Sequence, residues 1–371
     1  METKFLVNSE IKIVISGGGT GGHLFPALAI RDEINHRYPK SSIHYIGSKF
    51  GIEKDVLPIK NISHSLLPIR GFQRSLNFGS LGKNILLPIR VFTSIIKVKK
   101  MFDEINPNLV IGTGGYAAAI PLREGINRGI PTLIQEQNSY PGVTTRWFSK
   151  QASKVCIAFE DAKKFINNKS ILSGNPIRNE ISKGNKEKGL KEYGFDQNKK
   201  TLFVFGGSQG SFYLNQIMEK ILPSLTISNI QVIWQTGKNL YQNYIHNQSK
   251  MIKVLPFIEN MANAYALSDL VMSRSGAITC SELTICGKPS ILVPLSNSAA
   301  DHQIKNANAL VKSGAACMLE EKNINPKRFS ITIQNLLLDD EQLKSMSKAS
   351  FKLGKPKATS DIVDEAIALI K

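Results

Sequence analysis

A strand pattern followed by a glycine-rich loop and a helix pattern occurs twice in this chain. Ile11–Ser16 leads into the loop Gly17–Gly22, and Thr201–Phe205 leads into the loop Gly206–Gly210. In doubly wound α/β domains, the first strand runs into such a glycine turn and then into a helix. Two such starts in 371 residues predict two domains, each with its own parallel sheet.

Other short apolar runs alternate with helical patterns, as a parallel sheet wrapped by helices requires. Further strands are predicted at Ile43–Gly47, Leu109–Gly112, Thr132–Gln135, Gln231–Gln235, Leu270–Ser273 and Ser290–Pro294. Patterns with a period near 3.6 residues, such as Ala27–Arg37 and Phe212–Leu222, predict helices between them. The polar, basic stretch Asn179–Lys200 precedes the second start and is expected to be a boundary region.

The formal net charge of +18 points to an anionic partner, which can be a nucleic acid, a membrane surface or a phosphorylated substrate. The four cysteines form no C-x-x-C pair or metal-binding pattern, which favours a reduced, cytoplasmic chain. The first residues lack the apolar core of a signal peptide, and no apolar run reaches the roughly 18–20 residues that span a bilayer. Neither a leader nor a membrane span is therefore expected.

The first glycine loop matches G-x-G-x-x-G through Gly17, Gly19 and Gly22. A dinucleotide site also needs an acidic residue at the end of the second strand, where this chain has Gly47-Ser48-Lys49. A P-loop needs a lysine after the last glycine, where this chain has His23. An NAD-dependent oxidoreductase is therefore disfavoured.

Two further loops are candidates for binding phosphates. Ser208 lies in the loop Gly206–Gly210, and Arg274–Thr279 precedes a helix that is expected to end near Cys286. Glu282 on that helix suits a neutral ribose diol better than a diphosphate. The chain has no D-x-D motif, so no metal is expected, and Arg178 is a candidate to neutralise a diphosphate.

Together these motifs resemble the bacterial MurG family, the N-acetylglucosaminyltransferases of peptidoglycan synthesis. The resemblance runs from about Ile11 to Leu310 and more weakly to the C-terminus. The motifs that carry it, in chain order, are Gly17–His23, Gly112–Tyr116, Glu136-Gln137-Asn138, Gly174–Arg178, Gly206–Gly210, Arg274–Glu282, Asp301-His302-Gln303 and Asn306-Ala307.

The resemblance implies a GT-B fold, an α/β architecture of two Rossmann-like, doubly wound lobes with a cleft between them. Residues 1–174 would form an acceptor and membrane lobe, residues 175–351 a UDP-GlcNAc lobe, and a helix at about 352–371 would pack back on the first lobe. The implied reaction is inverting transfer of GlcNAc from UDP-GlcNAc to the 4-hydroxyl of undecaprenyl-diphospho-N-acetylmuramoyl-pentapeptide. It implies no cofactor and no metal.

The resemblance also carries roles to individual residues. For the donor it implies backbone near Ile258 for uracil, Glu282 for the ribose, Gln303 for the sugar hydroxyls, and Arg178, Ser208, Ala277, Ile278 and Thr279 for the diphosphate. For the acceptor side it implies Thr20, Gly21, Gly22, His23 and Asn138. His23 is the first candidate for the catalytic base and Glu136 is the alternative.

The chain departs from the family pattern in two places on the acceptor side. Gln135 stands where the family usually has histidine before Glu-Gln-Asn, and a glutamine cannot carry a proton as an imidazole can. The stretch Ser139–Thr145 also differs from the usual form, which has an asparagine near Thr145. Acceptor details are therefore expected to deviate more than donor details.

The segment Ile69–Lys100 is basic and apolar and contains no Asp or Glu. Its cations are Arg70, Arg74, Lys83, Arg90, Lys97, Lys99 and Lys100. The apolar residues interleaved with them include Phe72, Leu76, Phe78, Leu81, Ile85, Leu86, Leu87, Val91, Phe92, Ile95 and Ile96. This composition predicts peripheral binding to an anionic membrane on its cytoplasmic face; the alternative is that the apolar residues belong to the lobe core. No nucleic-acid partner is expected, because no nucleic-acid module accompanies the charge.

Two other functions stay open from the sequence. One is a different UDP-sugar glycosyltransferase that acts on a lipid. The other is a UDP-GlcNAc 2-epimerase, an isomerase with the same two-lobed plan, which would need neither a lipid acceptor nor a membrane surface.

Overall fold

The computed structural model describes residues 10–70, 86–166, 170–323 and 325–370. The chain divides into two compact units. Unit 1 extends to Ile177 and includes the C-terminal residues from Lys357 onward, and unit 2 is Arg178–Pro356.

Unit 1 is built around one parallel sheet. Its elements in chain order are β1 (Lys12–Ser16), α1 (Gly21–Arg37), β2 (Ser42–Ser48), α2 (Glu53–Ile59), β3 (His64–Leu67), α3 (Leu87–Ile105), β4 (Leu109–Gly112), α4 (Gly115–Asn127), β5 (Thr132–Glu136), α5 (Val143–Phe148), β6 (Lys154–Ile157) and β7 (Ser170–Leu172). The strand order is β3-β2-β1-β4-β5-β6-β7, and every pairing is parallel. The order turns at β1 and β4, where ligands of doubly wound sheets bind beyond the strand ends.

Both faces of this sheet are buried, because successive side chains of a strand point to opposite faces. Ile13 and Ile15 of β1 pack against α1, whereas Val14 between them packs with Val98 and Phe102 of α3. Each such residue is essentially inaccessible to solvent, which is worth about 1.5–3 kcal/mol per large aliphatic side chain.

Unit 2 repeats the plan with a second parallel sheet. Its elements are α6 (Lys186–Tyr193), β8 (Thr201–Phe205), α7 (Phe212–Ile227), β9 (Gln231–Gln235), α8 (Tyr241–Tyr244), β10 (Ile252–Leu255), α9 (Met261–Leu267), β11 (Leu270–Ser273), α10 (Ala277–Ile285), β12 (Ser290–Leu292), α11 (His302–Lys312), β13 (Ala316–Met318), α12 (Pro326–Leu338) and α13 (Asp340–Leu353). The strand order is β10-β9-β8-β11-β12-β13, again wholly parallel.

The last helix, α14 (Ala358–Ala368), belongs to unit 1. Ile362 and Ala366 pack into the core beside α1, and Arg37 of α1 pairs with Asp364 at 2.5 Å.

The stretch Asn179–Lys200 is more ordered than a bare boundary segment. It contains a 3-10 helix at Asn179–Lys183 and the helix α6, whose glycine Gly189 lies against the backbone of Asn263 in α9. These contacts make the stretch part of unit 2. Of the helices in the described ranges, none combines the length and apolar character needed to cross a bilayer.

Candidate active site

The glycine loop after β1 interlocks with the loop after β4. A Cβ on Gly17 would lie 2.0 Å from Thr113 Oγ1, and a Cβ on Gly115, whose φ is +75°, would lie 2.2 Å from the carbonyl oxygen of Gly18. Thr113 Oγ1 also donates to the carbonyl oxygen of His23 at 2.8 Å. The two motifs Gly17–His23 and Gly112–Tyr116 therefore form one structure, and glycine is required where their backbones meet.

Glu53, at the start of α2, supports the first glycine loop from inside the protein. Its side chain is inaccessible to solvent and accepts hydrogen bonds from the backbone N–H groups of Gly19 at 3.0 Å and Ser48 at 2.9 Å. A carboxylate thus occupies the Gly19 amide, so this amide does not bind a phosphate as in a P-loop. The sequence interpretation missed Glu53 because it lies after β2 rather than at its end.

The helix α1 begins at this loop with two glycines. Its first backbone hydrogen bonds are donated by His23 and Leu24 to the carbonyl oxygen of Thr20, so Gly21 and Gly22 precede the bonded turn. Thr20 and Gly22 are exposed, and Gly21 and His23 are half-buried. The expected acceptor residues of this loop therefore lie together at the N-terminus of a 17-residue helix.

His23 is held through one ring nitrogen. Its Nδ1 lies 2.9 Å from Gln137 Oε1 and 3.0 Å from the carbonyl oxygen of Thr113. Thr113 follows β4 and Gln137 follows β5, so residues beyond two neighbouring strand ends meet at this imidazole. The sequence interpretation included Gln137 only as part of the Glu-Gln-Asn motif.

The carboxylate of Glu136, the alternative base, binds the loop that follows β5. Its Oε1 accepts from the backbone N–H of Asn138 at 3.0 Å, and its Oε2 accepts from Gly142 N–H at 3.0 Å and Thr145 Oγ1 at 2.5 Å. The side chain is 3% exposed. Both oxygens therefore hold the loop that leads into α5, and half-buried Asn138 is positioned by the same carboxylate.

In unit 2, the glycine loop after β8 is tied to the backbone at Ile258 through Gln235. Gln235 Nε2 donates to the carbonyl oxygen of Gly207 at 2.9 Å, and Gln235 Oε1 accepts from the Ile258 N–H at 2.7 Å. Ser208 in this loop is exposed, whereas Ile258 is buried. The Ile258 N–H is thus occupied in this structure, and the sequence interpretation did not single out Gln235.

The third loop leads into α10, which begins at Ala277. Ile278 and Thr279 in its first turn are half-buried, and no acidic residue lies in that turn. Gln303 lies beside this loop, because Ser275 Oγ donates to its carbonyl oxygen at 2.8 Å. Gln303 Oε1 accepts from the Leu295 N–H at 2.9 Å, which orients the side-chain amide of Gln303.

Glu282 lies further along α10 and is 9% exposed. Its Oε2 accepts a hydrogen bond from the buried Tyr265 hydroxyl at 3.0 Å. Burial raises the pKa of Glu282 to about 6, against the opposing effects of the Tyr265 hydrogen bond and the positive charge of Arg178. Exposed Arg178, just before the 3-10 helix at Asn179–Lys183, is thus within electrostatic reach of Glu282.

Arg274 has a supporting rather than an exposed position. Its guanidinium pairs with Glu321 at 2.5 Å and donates to Ser211 Oγ at 2.8 Å and to the carbonyl oxygen of Val293 at 3.0 Å. Ser211 caps α7 by accepting from the Leu214 N–H. Arg274 therefore joins the second glycine loop to the third, a role that the sequence did not reveal.

The helix α3 presents a row of apolar side chains to solvent. Ile89, Phe92 and Ile96 are 62%, 64% and 54% exposed, whereas Val98 and Phe102 on the opposite face are buried. At about 100° per residue the three exposed side chains share one face, with Arg90 and Lys99 on its two sides. Arg70 and Arg90 lie over the ring of Phe50, at 3.8 and 5.4 Å from its centroid. The predicted membrane residues Phe72, Arg74, Leu76, Phe78, Leu81, Lys83 and Ile85 lie outside the described residues.

Comparison with known proteins gives the class. Residues 13–157 match the glycosyltransferase family 28 N-terminal domain, and residues 201–362 match the glycosyltransferase family 28 C-terminal domain. The crystal structure of Acinetobacter baumannii MurG superimposes with a TM-score of 0.77 at 25% identity, over 96% of this chain and 99% of that one. The chain is thus an α/β glycosyltransferase of family 28 with a GT-B fold, as the sequence predicted.

Full-length relatives narrow the class. The chain is 39% identical over 366 residues to a protein of Flavobacterium psychrophilum, and 36% identical over 364 residues to one of Clostridioides difficile. The first match covers 98% of this chain and 98% of the Flavobacterium protein. The second covers 96% of this chain and 88% of the Clostridioides protein. Both relatives are named UDP-N-acetylglucosamine–N-acetylmuramyl-(pentapeptide) pyrophosphoryl-undecaprenol N-acetylglucosamine transferase. The chain belongs to the MurG family.

The epimerase alternative is not favoured by the same comparisons. The UDP-GlcNAc 2-epimerase of Neisseria meningitidis superimposes with a TM-score of 0.65, but at only 14% identity. This likeness reflects the shared fold alone.

Proposed function

We propose that this enzyme transfers N-acetylglucosamine from UDP-GlcNAc to the 4-hydroxyl of an N-acetylmuramyl-pentapeptide carried on undecaprenyl diphosphate, with inversion at the anomeric carbon. The observation that carries the proposal is the 36–39% identity, over nearly the whole chain, to transferases named for these substrates. The product is the lipid-linked disaccharide precursor of peptidoglycan.

The donor would bind to unit 2. The N-terminus of α10 and exposed Arg178 would face the diphosphate, whose charge they suit because helix N-termini and guanidinium groups both attract anions. Ser208 would add a hydroxyl from the second glycine loop. These groups would also stabilise the negative charge that develops on the departing UDP.

The neutral parts of the donor would meet different groups. Glu282 would accept hydrogen bonds from the ribose diol. Its Oε1 is available for them, because no hydrogen-bond donor among the described residues reaches that atom. Gln303 would contact the sugar hydroxyls through the side-chain nitrogen, since Leu295 already occupies its oxygen. Uracil would meet the backbone near Ile258; because that N–H is bonded to Gln235, the carbonyl oxygen is the group we expect it to use first.

Chemistry on the acceptor requires a base. As the acceptor oxygen bonds to the anomeric carbon and the bond to UDP breaks, the 4-hydroxyl must lose its proton. His23 suits this role because its Nδ1 is held from inside the protein and its ring stands at the start of α1. Glu136 is less suited, because both of its oxygens already accept hydrogen bonds. Thr20, Gly21, Gly22 and Asn138 would bind the acceptor around His23.

The acceptor's polyprenyl tail requires a membrane surface. We propose that the exposed face of α3, with Ile89, Phe92 and Ile96, enters the interface while flanking cations meet anionic headgroups. Each such cation is worth about 1 kcal/mol near the surface. A peripheral position on the cytoplasmic face of the plasma membrane agrees with four cysteines that are all unpaired in this structure.

The proposed reaction can be tested with UDP-GlcNAc that is labelled in the sugar. With the lipid-linked muramoyl-pentapeptide present, we expect the label to move to the lipid fraction and UDP to be released in equal amount. Without the acceptor we expect neither. Conversion of the labelled donor to its C2 epimer without acceptor would contradict the proposal and favour an epimerase, and transfer to other lipids at equal rates would contradict the acceptor.

A further inference from the structure

A chain of buried amide side chains runs from Asn175 to the imidazole of His23. Asn175 Nδ2 donates to the backbone oxygen of Gln137 at 3.0 Å, and Gln135 Nε2 donates to Asn175 Oδ1 at 2.9 Å. Gln137 Nε2 donates to Gln135 Oε1, and Gln137 Oε1 faces His23 Nδ1. Asn175, Gln135 and Gln137 are each at most 2% exposed, so solvent does not compete for these bonds.

The orientation of Gln137 is dictated by backbone carbonyls. A side-chain amide donates only through nitrogen and accepts only through oxygen, and a carbonyl oxygen only accepts. Gln137 Nε2 lies 2.7 Å from the carbonyl oxygen of Thr113 and 3.1 Å from that of Gln135. Turning the amide round would set its oxygen against both of these oxygens. Gln137 Oε1 is therefore the atom that faces His23.

The orientation of Gln137 determines which ring nitrogen of His23 carries the proton. Both neighbours of His23 Nδ1, Gln137 Oε1 and the Thr113 carbonyl oxygen, are acceptors. Nδ1 must therefore carry a hydrogen, because an unprotonated nitrogen there would face two lone pairs. A neutral imidazole has one N–H, so its Nε2 then bears the lone pair.

We propose that Gln137 is a positioning residue which, together with the Thr113 carbonyl, keeps the proton of neutral His23 on Nδ1 and so makes Nε2 the proton-accepting atom. This deepens the proposed function and rests on His23 as its base. An imidazole free in water prefers its proton on Nε2. In that form the Nε2 of His23 would present an N–H to the substrate hydroxyl instead of a lone pair, and His23 could not act as the base.

The direct test reads the two ring nitrogens of His23 by NMR in protein labelled with 15N-histidine. The sequence has 6 histidines, and the His23 signals are identified by their absence in His23→Gln. At a pH where the ring is neutral, we expect a protonated, pyrrole-type Nδ1 and an unprotonated, pyridine-type Nε2. A protonated Nε2 in the parent protein would overturn the proposal whatever the variants do.

The second test compares Gln137→Met with Gln135→Met. Each variant removes one buried amide from the same chain, but only Gln137 touches the imidazole, so Gln135→Met is a matched control for lost packing. In Gln137→Met we expect a mixture of the two tautomers and a kcat lower by about 10-fold or more, with KM for UDP-GlcNAc within about two-fold of the parent. In Gln135→Met we expect a comparable fall in Tm with the proton still on Nδ1.

The outcomes separate this proposal from the one it rests on. If Gln137→Met keeps the proton on Nδ1 and loses no more activity than its fall in Tm explains, Gln137 does not position the base. If both amide variants shift the tautomer alike, the effect is general loosening and the proposal also fails. A normal kcat in His23→Ala would refute the base itself, while the NMR of the parent would still report the tautomer.

Discussion

The carboxylate of Glu282 offers the sharpest test of the donor site, because its charge and its hydrogen bonds can be varied separately. Burial raises its pKa to about 6. We expect the ribose diol of UDP to donate to the ionised form. Glu282→Gln keeps the size and one acceptor oxygen but removes the charge. Glu282→Ala is a poorer choice, because it would leave the buried hydroxyl of Tyr265 unpaired, at a cost of about 1–3 kcal/mol in stability.

The magnitude follows from the ionisation. Hydrogen bonds to a charged group contribute about 1.5–3 kcal/mol and neutral ones about 0.5–1.5, so Glu282→Gln should weaken UDP binding by about 1.5 kcal/mol, or roughly ten-fold, at pH 7.5. One unit below its pKa the parent carboxyl is mostly protonated, which costs about 1.4 kcal/mol in affinity. The ratio of the two Kd values should therefore fall from about ten at pH 7.5 to near one at pH 5.

Calorimetric titration of both proteins with UDP between pH 5 and 7.5 measures this ratio. UDP's own terminal phosphate ionises with a pKa of about 6, but this affects both proteins equally and cancels in the ratio. A ratio that stays constant across this range, or equal affinities at pH 7.5 in two well-folded proteins, would refute the ribose contact. The phosphate-independent control is uridine, which should show the same ratio at weaker affinity.

The stability of the unliganded protein should show the opposite dependence on pH. A carboxyl whose pKa is higher in the folded state than in the unfolded state binds more protons when folded between about pH 4.5 and 6. Its contribution is complete below pH 4.5 and is lost as the pH rises through 6, by about 2 kcal/mol. Glu282→Gln should lack this fall, which denaturant unfolding at several pH values can measure.

Further predictions concern catalysis, the membrane face and the scaffold of unit 2. His23→Ala should lower kcat by about 10²–10⁴-fold with little change in the KM for UDP-GlcNAc, and a near-normal kcat in steady-state assays would move the role of base elsewhere. Replacing Ile89, Phe92 and Ile96 by serine should abolish sedimentation with anionic vesicles, while activity on a short-chain, water-soluble acceptor survives. The control changes two exposed residues of unit 2, Ile227 and Leu338, to serine. Equal loss of vesicle binding in both variants would argue against a specific membrane face. Arg274→Met should destabilise unit 2 by about 3 kcal/mol in chemical denaturation, because it leaves Glu321 without its partner, and a loss below about 1 kcal/mol would show that the pair is unimportant.

The sequence identified the strands that lie inside each sheet better than those at the edges. Leu109–Gly112, Thr201–Phe205 and Leu270–Ser273 were predicted with the bounds that the structure has. Such strands are buried on both faces, so their sequences are nearly continuous apolar runs. The edge strands β3, β7, β10 and β13 were missed, together with β6, because short or partly exposed strands such as His64–Leu67 mix polar with apolar residues.

The sequence also determined where chemistry is expected, because glycine loops that follow strands leave a local mark. The loops at Gly17, Gly206 and Arg274 were found in this way, and the family follows from the order of the motifs. The sequence ranked His23 before Glu136 as the base, but it could not show that the Glu136 carboxylate is already occupied by donors from its own loop.

Only the tertiary structure decided what each polar group is paired with. His23 meets Gln137 across 114 residues of sequence, Gly19 meets Glu53 across 34, and Arg274 meets Ser211 across 63. These pairings depend on which strand ends the sheet order brings side by side, and no local pattern records that order. Whether a carboxylate such as Glu53 is a free base or a buried acceptor of backbone hydrogen bonds is therefore a property of the packed sheet, because one of its donors, the Gly19 N–H, lies 34 residues away in the sequence. The donors to Glu136 lie within nine residues of it, but only the folded loop turns them toward its carboxylate.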